Sequence, residues 1–215
     1  MSRTQSPGAT HGAHAPGKVG EVMMAVAMSV GRGAAARALA EIAGLTAEDR
    51  LVDVGCGPGA AVREAARRGA AATGIDPSAV SLALARRIAA RANQGSGSVL
   101  FRQGRAEALP LPDASATVVW SLSSVHHWQN PAAGFAEIYR VLAPGGRLVI
   151  AERLVRPGGR GPAAHGLSRD RADEFARDLA AIGFAEAATR LTRVRRSTMI
   201  LIEARRPASP DPDQP

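Results

Sequence analysis

The sequence predicts an α/β domain in which a largely parallel sheet carries helices on both faces. Two observations lead there. Five short apolar segments alternate with helical stretches up to Glu152, the rhythm of a sheet built from strand–helix–strand crossovers. The last two strand-like segments are joined only by Arg195-Arg196, too short for a crossover helix, so that pair must run antiparallel.

Each element follows from local chemistry. Residues 1–17 are polar and rich in Gly, Pro, Ser, Thr and His, the composition of a disordered tail. In 19–43 apolar residues recur at helical spacing (Val19, Val22, Met23, Val26, Val30), giving a helical lead that stops at Gly44. Residues 51–54 read as a buried strand, and 59–68 as a helix closed by Gly69. Strand 71–75 precedes a helix opened by Pro77-Ser78 and running to about Ala92. Strands 99–102 and 117–121 follow, then a helix from Pro131 to Ala143, stopped by Pro144-Gly145-Gly146. Residues 147–152 form a fifth strand. Past a Gly/Pro/Arg-rich loop (156–166), a helix over 168–182 is capped by Gly183, and strands 185–194 and 197–204 end the domain. The domain is therefore a single unit over 18–206, with 18–44 a helical lead. A proline-rich tail occupies 207–215.

Composition removes several mechanisms. The 215 residues suffice for one core, and the net charge is +8, yet Lys18 is the only lysine. Tyr139 is followed four residues later by Ala143, so the Tyr-x-x-x-Lys pair of short-chain dehydrogenases is missing, and no apolar pocket surrounds Lys18 for Schiff-base chemistry. Residues 12–18 mimic a P-loop, but Val19 stands where Ser or Thr must hold magnesium. Cys56 is the sole cysteine, which permits no internal disulfide and no multi-cysteine zinc site. This is the usage of a reducing compartment, and a cytoplasmic protein without a membrane span is expected. The excess of Arg over Lys, together with 45 Ala, reads as codon bias rather than a nucleic-acid footprint.

The segment Leu51-Val-Asp-Val-Gly-Cys-Gly-Pro-Gly59 is the most informative. Gly55, Gly57 and Gly59, after a strand and before a helix, let backbone approach a ligand at the sheet's carboxyl edge. Asp76, 21 residues past Gly55, stands where a ribose-binding acid belongs. Taken alone, the loop also satisfies a dinucleotide fingerprint. Asp53 argues against a nicotinamide oxidoreductase, because it sets a carboxylate beside the place a pyrophosphate would take, whereas a ligand with ammonium and sulfonium groups is welcome there.

In chain order, VDVGCGPG (52–59), GIDPS (74–78), AEALPLPD (106–113), LSSVHHW (122–128) and RVLAPGGRLVI (140–150) resemble the class I S-adenosylmethionine-dependent methyltransferases, in particular the small-molecule, type 11 methyltransferase-domain branch. The resemblance implies a Rossmann-like seven-stranded sheet of order 3-2-1-4-5-7-6, with S-adenosyl-L-methionine as cofactor. It implies that the loop Gly55, Cys56, Gly57 and Gly59 lies against the methionine portion, with Asp53 orienting the ammonium group. Asp76 would accept from the ribose hydroxyls, Ile75 and Pro77 would flank the adenine, and Ala106 and Glu107 would lie at its edge. Ser121 and Leu122 would face the methionine. His126 and His127 are the candidate general bases, no metal is expected, and His11, His14 and His165 read as solvated. An N-terminal helix bearing Met23, Met24 and Met28 would close over the site.

Two positions depart from the family pattern: Arg105 replaces an acid near the adenine, and Thr117 replaces an Asp before the fourth strand. The expected activity is methyl transfer to an O, N or C nucleophile of a small metabolite, by a monomer or homodimer. The alternatives are a nucleic-acid methyltransferase and a non-catalytic cofactor-binding regulator. The first is suggested by 12 Arg against 6 acids between Arg153 and Arg206, but aromatics at 3% are poor material for base stacking.

Overall fold

The computed structural model describes residues 32–92, 95–155 and 165–208. The tail 1–17, the helix over Val19–Val30 with its methionines, Lys18, most of the loop 156–166 and the end of the 207–215 tail lie outside the described residues.

Seven strands form one sheet: β1 (Arg50–Val54), β2 (Ala71–Asp76), β3 (Ser98–Gln103), β4 (Ala116–Leu122), β5 (Leu142–Arg153), β6 (Ala185–Val194) and β7 (Ser197–Arg205). Their order is β3-β2-β1-β4-β5-β7-β6, as expected. The pairings β1–β2, β1–β4, β2–β3 and β4–β5 are parallel, whereas β7 runs antiparallel to both β5 and β6. The turn between β6 and β7 is as tight as its sequence requires, with Arg195 at φ 55°.

Strand alternation divides the core in two. On one face, Leu51, Val118, Trp120, Val149 and Leu201 pack with residues of α1 (Arg32–Ile42), α2 (Ala60–Arg67) and α3 (Ala79–Ala89). On the other, Val52, Val119, Ile150 and Ile200 pack with residues of α4 (Pro131–Val141) and α5 (Arg169–Ile182). Helix starts follow from side chains: Ser78 Oγ accepts from Ser81 N, Asn130 Oδ1 from Ala133 N and Ser168 Oγ from Arg171 N.

Three boundaries differ from the sequence expectation by more than one residue. Helix α3 ends at Ala89, and Ala90 to Ala92 form only turns. Helix α4 ends at Val141, and β5 begins at Leu142 rather than Arg147. The Pro-Gly-Gly segment read as a stop is pulled into the sheet because Gly145 N donates to Arg206 O and Arg206 N donates to Gly146 O. Arg206 also caps the end of α4, its Nη1 donating to the carbonyls of Tyr139 and Leu142.

The amino ends of the central strands are bolted together. Asp49 accepts from Thr46 N at 2.9 Å, Thr117 Oγ1 at 2.7 Å and Arg147 Nη2 at 2.7 Å. Arg147 donates as well to the carbonyls of Ala43 and Gly44. Burial pushes the Asp49 carboxyl up, but the hydrogen bonds from Arg147, Thr46 and Thr117 outweigh it and hold the group below its ordinary range. Thr117 thus belongs to this end of the sheet, remote from the glycine loop.

Candidate active site

The carboxyl ends of β1, β2, β4 and β5 meet along the opposite edge. Asp53 is level with Gly74 of β2 and Trp120 of β4, and Ser121 is level with Ile150 of β5. Past β1 the chain is tied to β2: Gly55 N and Cys56 N both donate to Ile75 O, at 2.8 and 3.0 Å. Gly57 N donates to Asp76 Oδ2 at 2.8 Å, and Ser78 N donates to Asp76 Oδ1 at 2.9 Å. Gly55 adopts φ +77°, and a Cβ there would stand 1.7 Å from Ser124 Oγ. The bend is therefore reserved for glycine both by conformation and by the close passage of the loop after β4.

Asp76 keeps free capacity. A carboxylate has about four acceptor positions, and two are used by backbone N–H groups. Burial pushes its pKa up, while the N–H groups of Ser78 and Gly57 and the charge of Arg32 pull it down. Along the glycine loop lies a shallow crevice lined by Arg32, Asp53, Gly55, Cys56, Pro58 and Leu122 among others. Arg32, at the start of α1, was not anticipated. Burial lowers its pKa, and the charges of Asp53, Glu152 and Asp76 oppose that.

This edge also holds a concentration of polar atoms without partners. Among the described residues, Asp53 Oδ1, Trp120 Nε1, Ser121 Oγ, His126 Nε2 and Glu152 Oε1 are buried and accept or donate no hydrogen bond. Asp53 is 1% exposed, and burial raises its pKa to about 7. The Trp120 indole works against the rise without reaching hydrogen-bond geometry, and Arg32 also opposes it. Buried polar groups are ordinarily paired, so five orphans on one edge mark a place built for something other than protein.

His126 lies in a short 3₁₀ turn (Val125–His127) after β4. Its Nδ1 is 2.9 Å from Oε2 of the fully buried Glu152 at the end of β5. A carboxylate only accepts, so Nδ1 is the donor to it, and Nε2 is the ring nitrogen left without a partner among the described residues. The ring of His127 is 3.9 Å from that of His126, and burial and that neighbour lower the His127 pKa. The ring of His165 lies 5.9 Å from both. His165 is exposed, in keeping with the solvated residue read from the sequence, and its ring faces the histidine pair.

A family model described as "Methyltransferase domain" matches residues 52–150. The 27-O-demethylrifamycin SV methyltransferase of Amycolatopsis mediterranei is 37% identical over 145 residues, 67% of this chain and 52% of that protein. Residues 52–150 carry a methyltransferase domain of the class I S-adenosylmethionine-dependent type. A second relative, the demethylmenaquinone methyltransferase of Tropheryma whipplei (strain Twist), is 37% identical over 116 residues, 54% of this chain and 46% of that protein. The chain thus spans about half the length of the curated relatives it matches. In fold, the chain resembles a SAM-dependent methyltransferase from Aquifex aeolicus, with a TM-score of 0.70 at 17% identity, covering 86% of this chain and 98% of that one. The [4+2]-cyclase SpnF resembles it with a TM-score of 0.70 at 24% identity, covering 82% of each chain.

The residues at this edge fit the domain family's cofactor, S-adenosyl-L-methionine. The orphaned Asp53 Oδ1 and Ser121 Oγ, the unfilled acceptor positions of Asp76 and a glycine loop with no room for Cβ are complementary to a ligand with an ammonium group and a ribose. Ile75 and Leu122 are buried beside them. Cys56 is buried too, its thiol raised well above its ordinary range by burial and by Asp53 and Asp76, which suits a packing residue and not a nucleophile. Ala106 packs within the core of the α4 face. Glu107 Oε1 accepts from Gln129 N and Asn130 N at 2.9 and 3.1 Å, so that oxygen organises the loop before α4. Arg105 is exposed in a small bridge with Ala108. Sequence reasoning missed Arg32, Trp120, Glu152 and the nearness of His165. Of these, only Glu152 left a sequence signal, as a lone acid ending the apolar run Leu148-Val-Ile-Ala151.

Proposed function

We propose that the protein transfers a methyl group from S-adenosyl-L-methionine to a small metabolite, through a single domain over 18–206. The five orphaned polar atoms beside the glycine loop carry this reading, because they are costly unless a polar ligand satisfies them. When bound, the cofactor supplies an electrophilic methyl group on a sulfonium. The chain's own work is to hold and align. Asp76 takes the ribose hydroxyls, Asp53 the ammonium and Arg32 the carboxylate, with the Gly55–Gly59 loop against the methionine. Ile75 and Pro77 flank the adenine, Ala106 and Glu107 lie at its edge, and Ser121 and Leu122 face the methionine. His126, held by Glu152 at the end of β5, and His127 meet the acceptor.

A small acceptor is favoured by the relatives, whose names state 27-O-demethylrifamycin SV and demethylmenaquinone as substrates. A nucleic-acid acceptor is disfavoured, since Arg190 is paired with Glu203, Arg205 with Glu186, and Arg206 with main-chain carbonyls. No helix among the described residues is long and apolar enough to cross a membrane, and the lone buried Cys56 suits the cytoplasm. The test is calorimetric titration with S-adenosyl-L-methionine, followed by incubation of the protein with cell extract and methyl-labelled cofactor. One-site binding and a labelled small product are expected. Absence of binding heat removes the reading, and binding without any labelled product leaves a cofactor-binding regulator.

A further inference from the structure

We infer that His126, His127 and His165 form a binding site for a divalent transition metal of the zinc class, with an open position that takes an oxygen of the methyl acceptor. The second half of this inference rests on the methyltransferase reading, whereas the metal site stands on geometry alone.

One ring nitrogen from each of the three histidines lies within 4.8 Å of the other two. Ligand atoms around a tetrahedral metal with bonds of 2.0–2.1 Å stand about 3.4 Å apart, so the imidazoles need to close by about 1.4 Å. Side-chain rotation of His127 and His165 suffices, since both are exposed. His126 is the fixed member. Its Nδ1–H is held by Glu152 Oε2 at 2.9 Å, and its buried Nε2 has no partner among the described residues. This is the carboxylate–histidine arrangement that fixes the orientation of a metal-binding ring. Glu152 is fully buried, and its Oε1 is also unpartnered, which makes the pair an expensive device for mere packing.

The backbone delivers His165 deliberately. Beyond β5, Leu167 N donates to Arg153 O and Val155 N donates to Leu167 O, so residues 165–167 run along the extension of that strand. Arg153 Nε donates to His165 O at 3.2 Å. Gly166 adopts φ +147°, and a Cβ there would come 2.1 Å from Arg153 O, so the close approach requires glycine. Two sequence-distant segments, one after β4 and one before α5, are thereby brought to the same corner. Three imidazoles without a carboxylate among the ligating atoms select zinc-class ions over magnesium or calcium. Three protein ligands leave a fourth position open, the signature of a site that handles a ligand instead of a purely structural one. An oxygen donor such as a phenol or enol fits that position, which narrows the acceptor to a hydroxyl compound.

The experiment titrates the untagged, metal-stripped full chain with Co²⁺ and reads visible ligand-field absorption, with Zn²⁺ competition afterwards. One equivalent with the intense bands of a four-coordinate ion, displaced by Zn²⁺, is expected. His165→Ala should weaken Co²⁺ binding at least tenfold and Glu152→Gln by 10- to 100-fold, while His11→Ala/His14→Ala leaves the bands unchanged. S-adenosyl-L-methionine binding is measured calorimetrically on the same His165→Ala sample and should persist, which also shows that the variant is folded. Absence of Co²⁺ bands in wild type that still binds the cofactor overturns the metal site and leaves the methyltransferase reading intact. So does equal Co²⁺ affinity in the His126→Ala/His127→Ala/His165→Ala variant. Bands without cofactor binding sink the methyltransferase reading and keep the metal. If adding hydroxylated acceptors from the extract never perturbs the bands, the claim on the acceptor's oxygen is wrong.

Discussion

Asp53 sits where water does not reach, and burial holds its carboxyl near pH 7. Its unfolded-state value is near 3.8, so between those values the unfolded chain has lost the proton and the folded chain has not. Stability therefore falls as pH rises from about 4 to 7, by an amount on the order of 4 kcal/mol, and levels off above. Asp53→Asn should melt higher than wild type at pH 8, with the difference vanishing at pH 4, in thermal scans across that range. The same variant should bind S-adenosyl-L-methionine at least tenfold more weakly by calorimetry. Asp76→Ala removes the acceptor of both Gly57 N and Ser78 N along with the expected ribose ligand, and cofactor binding should drop beyond a hundredfold. Both carboxylates were legible in the sequence because their spacing from the glycines is local. Arg32 and His165 were not, since what matters about them is a neighbour far along the chain. A formal charge on a lead helix and a histidine in a loop carry no mark of where the fold delivers them.

At the level of elements, the glycine-rich turn depends on what the adjoining strands leave empty. Gly74 in β2 faces Cys56 and Phe101, and an added Cβ would meet them at 2.7 and 2.9 Å. Gly74→Ala should cost about 1–3 kcal/mol in urea unfolding, the price of overpacking a filled core. Helix α4 depends on a single side chain at its start, and Asn130→Ala should cost about 1 kcal/mol in the same measurement. The order of strands and helices could be read from alternating apolar runs and capping residues. The start of β5 could not: Pro144-Gly145-Gly146 has the local chemistry of a stop, and only the distant backbone of Arg206 recruits it into the sheet. Sequence signals weigh neighbours along the chain, and this boundary is decided by a neighbour across it.

Taken whole, the sheet has two unlike ends. At the amino end Asp49, Thr117 and Arg147 satisfy one another and tie three strands to the end of α1. Arg147→Ala should cost about 2–3 kcal/mol at pH 7, because it strands a buried carboxylate. Since the folded pKa of Asp49 lies below its unfolded value, the contribution is present above about pH 4 and is lost as pH falls through the folded value. Urea midpoints of wild type and variant should therefore converge in acid, with cofactor affinity unchanged at neutral pH. The carboxyl end carries the opposite condition, with Asp53, Trp120, Ser121, His126 and Glu152 each holding a polar atom that nothing in the described protein satisfies. Breeding this protein for heat resistance alone would set those two ends against each other. The quickest winners would trade Asp53, Ser121 and Glu152 for greasy side chains of similar bulk, and the survivors would be sturdy, well-folded and inert.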